Sequence, residues 1–91
     1  MAGPSKITPL AAALKYERMR DMAPRVIARG RGFQAKRILS KATEHNIPII
    51  ENKDLINILM QINENDPVPE IVYKTVAEIY LFIRQLEENG G

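Results

Sequence analysis

Along this chain the spacing of apolar residues switches between short continuous runs and a three-to-four-residue repeat, and each switch marks an element. From Phe33 to Asn46 apolar residues fall at Phe33, Ala35, Ile38, Leu39 and Ala42, with Lys36, Arg37, Lys41 and Glu44 between them. The spacing predicts an amphipathic helix over 33–45, with Asn46 as a left-handed terminator and Pro48 beyond it. Upstream, Pro24 opens the run Arg25-Val26-Ile27-Ala28-Arg29, closed by Gly30 and Gly32, and this predicts a strand over 24–29. Downstream, Ile47-Pro48-Ile49-Ile50 is apolar on both faces, as an interior parallel strand over 47–51 would be. Strand, helix and strand then form a right-handed βαβ unit.

Asn52 stands where a helix N-cap belongs, and Asp54 in the first turn favours the positive helix end. Leu55, Ile56, Ile58, Leu59 and Ile62 predict a short, covered helix reaching to about Ile62. After a polar linker over 63–68, Pro69 suits the first position of the longest helix, 69–87. Its apolar positions are Ile71, Val72, Val76, Ile79, Tyr80, Ile83 and Leu86, and Asn89-Gly90-Gly91 ends it. Tyr73, Tyr80 and Phe82 span more than one stripe of that helix, so some aromatic area is expected at the surface.

The run Thr8-Pro9-Leu10-Ala11-Ala12-Ala13-Leu14-Lys15-Tyr16 fits either a short helix or a buried strand. A two-stranded sheet would leave strand faces poorly covered, so a strand over 10–16 is expected in spite of its three alanines. The resulting fold class is α/β (α+β): a small mixed sheet of about three strands flanked by three helices, in the order β-β-α-β-α-α. One domain is expected over 7–88, with a flexible leader at 1–6 and a tail at 89–91.

Composition narrows the chemistry. Ninety-one residues with 45% hydrophobic and 26% charged residues are those of a single globular domain. The absence of cysteine removes disulfides, thiol nucleophiles and thiolate metal sites. No apolar run approaches the ~20 residues of a membrane span, so a cytoplasmic protein without direct membrane insertion is expected. The net charge of +2 hides an asymmetry, because residues 1–45 carry ten Lys/Arg against three Asp/Glu and residues 46–91 carry three against eight. Arg18, Arg20, Arg25, Arg29, Arg31, Lys36, Arg37 and Lys41 are the ingredients of a nucleic-acid patch, against which stands the bland reading of a solvated face. A basic module using residues 25–41 is therefore the alternative function, with Phe33 as its one nearby stacking aromatic.

Catalytic constellations are wanting. His45, the single histidine, sits where the dipole of a helix C-terminus favours its charge, and Glu44-His45 is too small a set for a metal. Ser5 and Ser40 have no base in a recognisable motif, and the pairs Glu87-Glu88 and Glu64 with Asp66 lie at polar ends. Gly30-Arg31-Gly32 lacks the third glycine and the Lys-Ser/Thr of phosphate loops, so its glycines are read as permitting a tight exit turn. No enzyme, metal or cofactor is expected.

Four segments carry a resemblance. Thr8 to Tyr16, then Met22-Ala23-Pro24-Arg25-Val26-Ile27-Ala28-Arg29-Gly30, then Glu44-His45-Asn46-Ile47-Pro48-Ile49-Ile50-Glu51-Asn52, and finally Val68-Pro69-Glu70 with Tyr73 and Val76-Ala77-Glu78 resemble the cytoplasmic C-terminal domain of the FlhB/YscU family, the export-switch components of flagellar and virulence type III secretion. The likeness runs from about Ile7 to Leu86. It implies a domain that in the family follows a transmembrane region, which this chain is expected to lack. It also implies a self-cleaving Asn-Pro-Thr-His motif, and its positions align here with Lys6, Ile7, Thr8 and Pro9. Lysine has no carboxamide to cyclise and Ile7 replaces the scissile proline, so no autocleavage is expected.

The resemblance therefore implies a stand-alone counterpart of the released C-terminal fragment, a soluble component or modulator of the export gate at the inner face of the membrane. Its implied partners are export-gate membrane proteins, namely the FlhB-type N-terminal part and an FlhA-type protein, together with export substrates or the hook-length ruler. Two sites follow from it. The edge of the strand at Leu10, Ala11, Ala12, Ala13 and Leu14 is expected to accept a partner strand. Ala23, Pro24, Ala77 and Tyr80 match an apolar docking patch for substrates, with Tyr80 standing where the family has a smaller aliphatic residue.

Overall fold

The computed structural model describes residues 8–16 and 23–89. Strands β1 (Leu10–Lys15) and β2 (Arg25–Arg31) pair antiparallel, followed by helices α1 (Phe33–Glu44) and α2 (Lys53–Leu59), a 3-10 turn at Glu70–Val72 and helix α3 (Tyr73–Asn89). The alanine-rich run is thus a strand, with tertiary packing overriding its helix preference. Small side chains are what the position requires. Ala11 opposes Gly30 across the ladder, and a Cβ on Gly30 would lie 2.7 Å from Gln34 Cβ, so α1 rests almost directly on the sheet backbone.

The register slips between Ala13 and Leu14, where Ala13 faces Ala28 but Leu14 faces Val26. Ile27 is the extra residue of this bulge. Without it Val26 would share a face with Ala28 and Gly30 and point toward α1. With it, Val26 joins Ala12 and Leu14 on the opposite face and is 0% exposed. There it packs with Leu55, Leu59, Ile62, Val68, Val72 and Val76 in the main core. The domain has three layers: α1, the β-ribbon, and α2 with α3.

The helix ends follow local chemistry. Asn46 has φ 56, Asn46 N–H donates to Thr43 O and Ile47 N–H donates to Ala42 O, which together close α1 in a Schellman arrangement. Asn52 caps α2, its Oδ1 accepting from Leu55 N–H at 2.9 Å. Pro69 is extended, with φ −61 and ψ 150, and its carbonyl accepts from Val72 N–H. The last helix therefore begins with a 3-10 turn rather than at Pro69.

Three expectations are corrected. Among the described residues the sheet has two strands, not three, and no βαβ crossover forms. The Ile47–Glu51 stretch is neither strand nor helix. A physical reason lies at the outer edge of β2, where Val26 N–H donates to Asp66 O, Asn65 N–H to Val26 O, and Val68 N–H to Pro24 O. The 65–68 turn occupies the start of the edge that a parallel strand would have used. Phe33, grouped with the apolar face of its helix by spacing, is instead 76% exposed, because Ala35, Ile38, Leu39 and Ala42 define the seated side.

Candidate functional site

β1 has two long edges, and they differ. One pairs with β2 along its length, and the ladder is prolonged where Gly32 N–H donates to Pro9 O at 2.8 Å. On the other, Leu10 to Leu14 make no further backbone hydrogen bond among the described residues. Since backbone N–H and C=O groups are strong, obligatory hydrogen-bonding groups, such an edge is a template for another strand. The residues expected to form the pairing edge are thus brought together on one line. Of the positions aligned with the cleavage motif, Thr8 is exposed and Pro9 half-buried, while Lys6 and Ile7 lie outside the described residues.

A second stretch without regular structure lies between α1 and α2. Ile47, Ile49 and Ile50 are 56%, 47% and 42% exposed, and Ile49, Ile50 and Glu51 make no backbone hydrogen bond among the described residues. Three exposed β-branched residues give this segment the composition of a strand without its neighbour.

The four residues of the expected docking patch are placed unequally. Ala23 and Pro24 are buried, and Pro24 O accepts from Val68 N–H. Ala77 is exposed on α3. Tyr80 is half-buried and packs on Tyr16 with ring centroids 5.6 Å apart, and burial raises its phenol pKa above the usual 10.0. The exposed apolar area continues along α3 at Leu81, Phe82 and Leu86, and Tyr73 is also partly exposed.

Only part of the basic run shares a surface among the described residues: Arg31, Lys36, Arg37 and Lys41 are exposed at the end of β2 and along α1. Arg18 and Arg20 lie outside the described residues, Arg29 is half-buried on β2 with an Nε that finds no partner, and Lys36, Arg37 and Lys41 sit on α1. Sequence spacing gave no sign of that orphaned Nε, which costs desolvation while unpaired. Among the described residues no three of His, Cys, Asp and Glu converge as metal ligands, and no helix is long and apolar enough to cross a membrane.

The described residues form a small mixed α/β domain whose β1 has one edge without further backbone hydrogen bonds among them. Residues 7–83 match the sequence profile of the FlhB HrpN YscU SpaS family, and the chain belongs to that family. It is 42% identical over 79 residues to the uncharacterized protein YlqH of Bacillus subtilis, covering 87% of this chain and 85% of that protein. It is 36% identical over 88 residues to the flagellar biosynthetic protein FlhB of Yersinia enterocolitica, covering 92% of this chain but 23% of that protein. The cytoplasmic domain of FlhB from Shewanella putrefaciens superimposes with a TM-score of 0.83 at 32% identity, covering 89% of this chain and 64% of that one. A mutated EscU C-terminal domain gives 0.80 at 27% identity, covering 84% of this chain and 93% of that one. The fold is therefore that of the C-terminal cytoplasmic domains of FlhB-type export proteins.

Proposed function

We propose that this chain is a non-enzymatic component of a type III protein export apparatus, acting on the cytoplasmic side by completing its sheet with a strand from a membrane-bound, FlhB-type partner. The observation that carries the reading is the open edge of β1 at Leu10–Leu14, unpaired among the described residues while the start of the other outer edge of the ribbon is occupied by the 65–68 turn. Strand addition suits it because backbone hydrogen bonds supply affinity while alternate side chains supply selectivity. The exposed isoleucines at 47–50 add apolar surface of the kind an extended partner covers.

Amide hydrogen exchange tests this. In the presence of a membrane partner truncated just ahead of its cleavage-motif position, protection over residues 10–14 is expected to rise at least ~10-fold, a shift of about 1.4 kcal/mol or more. Protection unchanged by the partner would sink the proposal.

Export substrates, or the hook-length ruler, are proposed to dock around Ala77 and Tyr80, where exposed and half-buried positions on α3 adjoin further apolar residues. Ala77 is the cleaner probe because it is exposed, whereas Tyr80 also packs on Tyr16. An Ala77→Asp variant is expected to keep its melting temperature and lose about tenfold in affinity for an apolar substrate segment, because the new charge must be desolvated on docking. Equal affinity by titration calorimetry would count against this patch without touching the strand edge.

A further inference from the structure

α1 divides cleanly around its axis. Ala35, Ile38, Leu39 and Ala42 line the side seated on the ribbon, while Phe33, Lys36, Arg37, Ser40, Lys41 and Glu44 form a broad exposed face on the other, with Gln34 and Thr43 exposed at its margins. Phe33 to Lys41 spans about 12 Å at the rise of an α-helix. Arg31, at the end of β2, is exposed just ahead of this face. Arg31, Lys36, Arg37 and Lys41 form no ion pair among the described residues, and the first turn of α1 has no acidic residue.

The layering gives this face a direction. The elements of the opposite layer carry Asp54, Glu70, Glu78, Glu87 and Glu88 against Lys53, Lys74 and Arg84, so an acidic excess lies across the ribbon from the basic excess of α1, on which Glu44 is the one carboxylate. A chain of net charge +2 therefore turns its basic excess to the α1 side, which orients it in the field of an anionic surface.

We propose that the exposed face of α1 is a docking surface for an anionic lipid bilayer, with Phe33 at headgroup depth and Arg31, Lys36, Arg37 and Lys41 on the lipid phosphates. The long side chains of Lys36, Arg37 and Lys41 on this convex face can reach a flat sheet of charge together, with Glu44 at the far end of the helix. Phe33 gains from the acyl boundary, where interfacial helices bury their apolar residues. A nonspecific nucleic-acid groove would instead interleave its cations with several stacking aromatics, and here there is one. The surface is separate from the β1 edge and does not depend on the strand-pairing proposal.

The chain has no tryptophan, so Phe33→Trp installs a single reporter in the full-length protein. Its emission is expected to shift to the blue, and the protein to co-sediment, with vesicles containing phosphatidylglycerol but not with pure phosphatidylcholine. Raising the salt from ~0.05 M to ~0.5 M should release it. Removing three charges together with Lys36→Gln, Arg37→Gln and Lys41→Gln should weaken partitioning about a hundredfold. All three positions are exposed, and an unchanged thermal melt verifies the fold of the variant. The proposal is overturned by absence of binding to the anionic vesicles, by equal binding of the triple variant, or by a DNA duplex that binds the same face more tightly and displaces the vesicles.

Discussion

A valine at position 30 is expected to unseat α1 and cost the domain about 3 kcal/mol, at the upper end of what overpacking does. The Cβ alone would lie 2.7 Å from Gln34 Cβ and 3.3 Å from the Gln34 backbone carbon, a distance no rotamer change relieves because neither atom is at the flexible end of a side chain. Valine adds two methyl groups beyond that point. The loss is large against the 5–15 kcal/mol that hold small domains together. Urea unfolding followed by circular dichroism should show the midpoint falling in the order wild type, Gly30→Ala, Gly30→Val. A Gly30→Val protein with a wild-type midpoint would mean that α1 does not lie against the ribbon as described.

Leu59→Ala is expected to be of similar size by the opposite mechanism. Leu59 is 4% exposed and belongs to the cluster built around Val26, Val68, Val72 and Val76. Truncation removes the Cγ methine and both Cδ methyls and leaves a cavity, for about 3 kcal/mol within the usual 2–5. For a domain of this size the melting temperature should drop by roughly 12–24 °C. Ile56→Ala, one turn earlier and half-buried, serves as the comparison and should cost clearly less. Equal losses at the two positions in a calorimetric scan would contradict the assigned facing of α2.

Much of the fold was legible because its signals are local. Asn46 and Asn52 bracket the connection between two helices, and both act through their own backbone or side-chain hydrogen bonds within a few residues. The apolar spacing of α1 marked the side seated on the ribbon, apart from Phe33. What failed was non-local. Ile47-Pro48-Ile49-Ile50 has the composition of a buried strand, but a strand needs a neighbour, and composition does not reveal whether one lies in the same chain. The occupation of β2's outer edge by Asn65, Asp66 and Val68 was invisible for the same reason, since a polar turn containing Pro67 carries no strand pattern. For the candidate edge, the strand itself was readable from Leu10 to Leu14, whereas the expectation that its edge accepts a partner came from the family resemblance and not from the residue pattern.

The bulge at Ile27 makes β2 a counter of residues. One extra position there decides whether Val26 turns to the main core or to α1. Loss or gain of a single residue between Arg25 and Gly30 would therefore exchange a buried valine for the close approach of Gly30, so natural length changes in this strand can be accepted only in pairs.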